Sequence, residues 1–91
     1  NVIVEAWAQS KPVVAADSLG PGTLIEQNVN GVLVPINDAK SLSYGIQRVF
    51  DDEVLRYTIA QNGRIAYEQR FTEANVVEQY IDFFKSLVSE V

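Results

Sequence analysis

The chain contains no cysteine, no histidine and no methionine. Without cysteine there is no disulfide. Without cysteine or histidine, the usual zinc-ligand spacings and every nucleophile–histidine triad are excluded. A cysteine-free chain also fits the cytosol, where thiols stay reduced. Positive charge is scarce: 7 Lys and Arg stand against 12 Asp and Glu, for a formal net charge of −5. No basic patch interrupts the acidic excess, so nucleic acid is not an expected partner. Long hydrophobic runs are missing as well; none approaches the roughly 20 residues of a membrane-spanning helix. Nor is there an internal repeat or a low-complexity segment.

What remains is a chain of 91 residues, 47% of them apolar, the composition of a folded domain. A domain this size buries only about 60–65% of its unfolded surface and is marginal alone. It starts at Asn1 and enters an apolar segment with no strand before it, so we expect a fragment of a larger domain.

The organising stretch is Val2-Ile3-Val4-Glu5-Ala6-Trp7-Ala8, closed by Gln9-Ser10-Lys11-Pro12. It reads as a short helix, apolar enough to be buried on all sides. Glu5 sits in its middle, and a buried carboxylate needs a partner, because stripping it of water unpaired costs several kcal/mol. Next comes Pro12-Val13-Val14-Ala15-Ala16-Asp17, a β-branched run that predicts a buried parallel strand. Helix, tight break and strand form half of an αβ repeat. In open α/β sheets ligands gather beyond the carboxyl ends of the strands and at helix N-termini. Asn1-Val2 and residues 17–22 therefore fall on the expected ligand side.

Residues 17–23, with two glycines around Pro21, predict a loop, either a plain turn or a path that lets a ligand approach the backbone. A short helix is expected over Thr23–Gln27, then a turn at Asn28–Gly31 and a strand Val32-Leu33-Val34 ended by Pro35. Asp38 is the expected N-cap of a helix with Leu42, Ile46, Val49 and Phe50 facing inward. Asp51-Asp52 breaks it, and Asp52 caps a helix running to about Gln69 with Leu55, Ile59, Ala66 and Tyr67 inward. Gly63 lies inside that helix at a cost of about 1 kcal/mol relative to Ala, which predicts a close approach by something else. Thr72 caps the last helix. Its Val76, Val77, Tyr80, Ile81, Phe83, Phe84, Leu87 and Val88 exceed what one face needs, and predict a docking face for absent protein or another copy. Only Lys85 would favour a membrane surface. Asp51 and Asp52 are a break and a cap, and no metal site is expected.

The fold class is thus α/β: the second half of a Rossmann-like domain, with short parallel strands and mostly helices. An αβ core over residues 1–36 is followed by C-terminal helices over 37–91.

Three stretches now point to a family. The run Glu5 to Ala15, the segment Leu24-Ile25-Glu26 and the segment Asn30-Gly31-Val32-Leu33-Val34-Pro35 resemble the C-terminal end of retaining GT-B glycosyltransferases of family 4, the group 1 transferases. Asp38 to Leu42, Asn62-Gly63-Arg64 and Arg70-Phe71-Thr72 extend the likeness across nearly the whole chain. Residues 1–7 and 17–23 look most like bacterial transferases of lipopolysaccharide core.

The resemblance implies two glutamates eight positions apart, the second being Glu5, which would accept hydrogen bonds from the ribose hydroxyls of a nucleotide-sugar donor. Asn1 and Val2 match the helix start that offers N–H groups to the diphosphate. The first glutamate, a glycine loop and an Arg/Lys phosphate pair should lie before Asn1. No catalytic residue is assigned within this chain, and no cofactor beyond the donor substrate. Ser10 stands where the family usually has glycine; a left-handed backbone costs serine about 1 kcal/mol, so a different turn is expected there. Glu73-Ala74 replaces a usual aromatic, which touches only packing.

The implied activity is transfer of a hexose from a nucleoside-diphosphate sugar to a glycan or lipid-linked acceptor of the cell envelope. Such a protein would be cytoplasmic, or peripheral at the inner face of the membrane. This segment alone would be inactive and would self-associate through the 72–91 helix. A nucleotide-sugar epimerase and a non-catalytic packing module are the alternatives.

Overall fold

The computed structural model describes residues 1–89. Five helices and two strands follow one another as α1 (Val2–Ala8), β1 (Val14–Ala16), α2 (Leu19–Leu24), β2 (Val32–Val34), α3 (Ala39–Asp51), α4 (Glu53–Arg70) and α5 (Glu73–Ser89). The order is the one the sequence predicts. Residues 90 and 91 of the last predicted helix lie outside the described residues.

β1 and β2 are parallel, with Val14 opposite Val32 and Ala16 opposite Val34. The outer side of β2 is occupied by a side chain: the Gln27 amide donates to the Leu33 carbonyl (3.0 Å) and accepts from the Leu33 N–H (2.7 Å). Gln27 thus satisfies edge groups that would otherwise recruit a further strand. β1 is only half-buried, where a fully buried strand was expected; among the described residues no strand pairs with its other edge.

Two clusters form the core. Ile3, Trp7, Val13 and Ile25 pack with Ala66, Tyr67 and Phe71 around them, and Val32, Val34, Val49 and Ile59 pack with Val14 and Leu55. Gly45 lets α3 lie directly on the sheet, since a Cβ there would meet Val34 Cγ1 at 2.9 Å and Val14 Cγ1 at 3.1 Å. Both carboxylate caps form as the sequence implies. Asp38 accepts from the Ser41 N–H and Asp52 from the Leu55 N–H, satisfying first-turn donors. Thr72 Oγ1 accepts from the Asn75 N–H in the same way.

Three expectations are corrected. The glycine-rich stretch is helical: α2 begins at Leu19, four residues before the expected start, and Ile25 is already extended. Pro21 sits in the first turn, where its missing N–H costs nothing, and its carbonyl accepts from the Ile25 N–H at 3.0 Å. On α3 only Gly45 and Val49 are buried, whereas Leu42, Ile46 and Phe50 are exposed, Phe50 at 72%. Helical periodicity marks the apolar stripe, and the two strands present cover only its edge. Ser10 does adopt the left-handed backbone, at φ 56°. The Ser10 N–H donates to the Trp7 carbonyl and the Lys11 N–H to the Ala6 carbonyl, both at 3.0 Å, which closes α1 as a Schellman turn and outweighs the strain.

The wide apolar face of α5 is there and uncovered among the described residues: Val77, Tyr80, Ile81, Phe83, Phe84, Leu87 and Val88 are all exposed. No described helix is long and apolar enough to cross a membrane.

Candidate functional site at the start of the first helix

The Schellman turn at Gln9–Lys11 joins the end of α1 to the start of β1, so the helix runs back against the strands. Its N-terminus therefore shares an end with the carboxyl termini of β1 and β2, where α/β sheets take their ligands. Asn1 begins α1 as an N-cap, its Oδ1 accepting from the Ile3 N–H at 2.9 Å and the Val4 N–H at 3.4 Å. With those two donors taken by the cap, the Val2 N–H is the amide left at the helix start.

Glu5 is not buried, which corrects the reading of α1 as buried on all sides. The helix buries the stripe Ile3 and Trp7, four residues apart, and turns Val2 and Glu5 the other way; Val2 is 80% exposed. The Glu5 carboxylate makes no hydrogen bond or ion pair among the described residues, so it needs no internal partner to offset burial. Val2 and Glu5, three residues apart, are both exposed on α1, and Asn1 caps its start.

Beyond the end of β1 an open depression of about 740 Å³ is lined by Asp17, Ser18, Gly20, Gly22, Thr23 and Ile36. A Cβ at Gly22 would stand 2.5 Å from Asp17 Oδ1, so a larger residue there would turn the Asp17 carboxylate aside. Among the described residues no group of three or more acidic, cysteine or histidine side chains could hold a metal ion.

The far end of α1 is tied to α4. The Trp7 ring is fully buried against Gly63, where a Cβ would lie 2.3 Å from Trp7 Cδ1, so the predicted close approach at this glycine is Trp7. Trp7 Nε1 donates to the Asn30 carbonyl (3.1 Å), and Asn30 Oδ1 accepts from the Glu26 N–H (2.8 Å). On either side of Gly63, Arg64 donates to the Ala8 carbonyl and Asn62 to the Val29 carbonyl (2.8 Å). Arg64 also pairs with Glu68 at 2.8 Å and lies over the Tyr67 ring. Sequence reasoning singled out Asn62-Gly63-Arg64 only as part of a family pattern. The helical glycine was the one local signal of their contacts.

A family model described as "Glycosyl transferases group 1" matches residues 1–66. The lipopolysaccharide core biosynthesis glycosyltransferase LpsE of Rhizobium meliloti is 33% identical over 86 residues, which cover 94% of this chain and 25% of that protein. LpsD of the same organism, a lipopolysaccharide core biosynthesis glycosyltransferase too, is 30% identical over 92% of this chain and 24% of its own length. Among solved structures, Anabaena HepE in complex with UDP superposes with a TM-score of 0.88 at 35% identity, covering 94% of this chain and 24% of that one. The chain spans about a quarter of the length of these relatives. Its two parallel strands, their helices and the matched segment agree: the chain belongs to the group 1 glycosyl transferases.

Proposed function

We propose that this chain supplies part of the nucleotide-sugar site of a longer, retaining glycosyltransferase. That protein would transfer a hexose from a nucleoside-diphosphate sugar to a glycan or lipid-linked acceptor of the cell envelope. In this reading Glu5 accepts hydrogen bonds from the donor's ribose hydroxyls, while Asn1 and Val2 offer the helix start to the diphosphate. The observation that supports it is an exposed, partner-free Glu5 carboxylate one turn into a helix whose start is capped by Asn1. Two neighbouring findings support it: the relatives named for lipopolysaccharide core synthesis, and the solved neighbour holding UDP.

The chemistry asked of this segment is electrostatic. As the diphosphate leaves, negative charge grows on it, and oriented N–H groups stabilise that charge without reorganising. The capping carboxamide of Asn1 fixes α1's first turn, and the Val2 N–H is its remaining donor. Cationic side chains for the same charge belong to the rest of the protein, so the 91-residue segment alone is inactive. The donor is consumed as a substrate, and no resident cofactor is required. The work is done on the cytoplasmic side, with any membrane contact peripheral, and the segment freed from its parent associates through α5.

The test is donor binding by the full-length protein with Glu5→Ala. Each hydrogen bond to the carboxylate contributes about 1.5–3 kcal/mol, so the loss of even one should lower affinity roughly 10- to 150-fold. Unchanged affinity rejects the assignment.

A further inference from the structure

We infer that Asn62, Gly63 and Arg64 are positioning residues for the donor site: Gly63 and Arg64 hold the far end of α1, Asn62 holds the turn to which Trp7 bonds, and together they set where Asn1, Val2 and Glu5 stand. The inference rests on the donor-site reading above and assigns it three residues on a different helix.

A helix of seven residues is about 10 Å long and has no stable direction of its own. Its axis is set by what grips it. α1 buries only Ile3 and Trp7, and α4 packs closely on the second of these. Three consecutive residues there reach three different pieces of the αβ unit. Asn62 donates to the Val29 carbonyl in the turn before β2. Gly63 leaves the space that the Trp7 indole fills. Arg64 donates to the Ala8 carbonyl, the last of the helix, and is itself held by Glu68. Trp7 closes the circuit by donating to the Asn30 carbonyl, one residue beyond the Asn62 contact.

The arrangement fixes α1 along its axis through Ala8, across its axis through Trp7, and relative to the sheet through Val29 and Asn30. Glu5 lies two residues from Trp7 on the same rigid helix, so any shift of the indole or of the last carbonyl carries the carboxylate with it. None of the three α4 residues needs to touch the nucleotide to act.

UDP and GDP titrated by calorimetry into the full-length protein are the probes, with donor and acceptor KM measured alongside. Arg64→Ala should weaken binding of whichever nucleotide the native protein takes by about tenfold, as a misplaced binding group does, and raise the donor KM in step. The acceptor KM should stay within about twofold, a change too small to mark a lost contact. Arg64→Lys, which keeps a donor for the Ala8 carbonyl, should recover most of the loss. If Arg64→Ala does not fold, Asn62→Ala carries the test and should weaken binding by about threefold.

Nucleotide affinity within about twofold of native in folded Arg64→Ala or, where that variant does not fold, in Asn62→Ala would overturn the inference. So would a loss that only tracks the fraction of unfolded protein, the remaining molecules binding normally. Glu5→Ala separates the two readings. Weakened binding in Glu5→Ala with none in the α4 variants removes only the positioning role. Unchanged binding in Glu5→Ala, or no nucleotide bound by the native protein, removes the donor site and this inference with it.

Discussion

The two ends of this chain use similar residues to opposite effect. α1 carries Ile3, Val4 and Trp7, and it packs against α4 with Trp7 fully buried. α5 carries Val77, Tyr80, Ile81, Phe83, Phe84, Leu87 and Val88, all exposed. Apolar content does not separate them. A matched surface does: α4 offers α1 space at Gly63 and a donor at Arg64, and Asn62 beside them holds the turn before β2. No described element does the same for α5 beyond its first turns, where Asn75 donates to the Glu68 carbonyl and Gln79 to the Arg70 carbonyl.

The contrast can be broken most strongly at Trp7. Trp7→Ala empties the centre of one core cluster and removes the bond to the Asn30 carbonyl, and should cost about 3–5 kcal/mol in urea unfolding. Gly63→Ala sharpens the point by its sign. In a free helix this change stabilises by about 1 kcal/mol. Here the new Cβ would meet Trp7 Cδ1 at 2.3 Å, and overpacking of this kind should destabilise by about 1–3 kcal/mol. A stabilised Gly63→Ala protein would mean that α1 does not sit where the structure puts it.

Ser10→Gly relieves the left-handed strain in the Schellman turn and should stabilise by about 1 kcal/mol, read as a rise in the melting midpoint. On α5 the expectation reverses. Phe84→Ser, at a residue 66% exposed, should change unfolding stability by no more than about 0.5 kcal/mol. The same substitution should reduce association of the isolated segment in light scattering. A large stability loss there would show that α5 is covered within the chain.

The smallest effect concerns pH. The Ser41 N–H, which donates to the Asp38 carboxylate, holds this carboxyl below its usual value. A depressed folded value gives stability that is fully present above the ordinary Asp range and is lost as pH falls through the lowered one. Asp38→Asn keeps a capping oxygen and should flatten that acid-side dependence, measured as melting midpoint against pH.

Much of the fold was legible because it is written locally. Gly31 and Pro35 bracket β2, and Asp38, Asp52 and Thr72 announce three helix starts through side-chain chemistry that needs no tertiary contact. Gly63 gave away a close approach, though not its partner, since Trp7 lies 56 positions earlier in the chain. What stayed illegible depends on cover. Leu42, Ile46 and Phe50 form a proper helical stripe, yet periodicity names a face without saying what lies against it. The exposure of Glu5 escaped for a related reason: its apolar neighbours suggested burial on all sides, whereas α1 buries only the stripe that meets α4. The glycine pair in residues 17–23 read as a loop because glycine and proline are poor helix formers, and tertiary context overrode that preference for a single turn or two. At the site, family likeness named Asn1, Val2 and Glu5, while Arg64 and Asn62 act through contacts that no local pattern reveals.

The most direct test of the central claim is a crystal structure of the full-length protein with a nucleotide sugar bound. The Glu5 carboxylate should lie within hydrogen-bond distance of the ribose hydroxyls, with the diphosphate at the start of α1. A nucleotide seated elsewhere, with Glu5 still facing solvent, would contradict it.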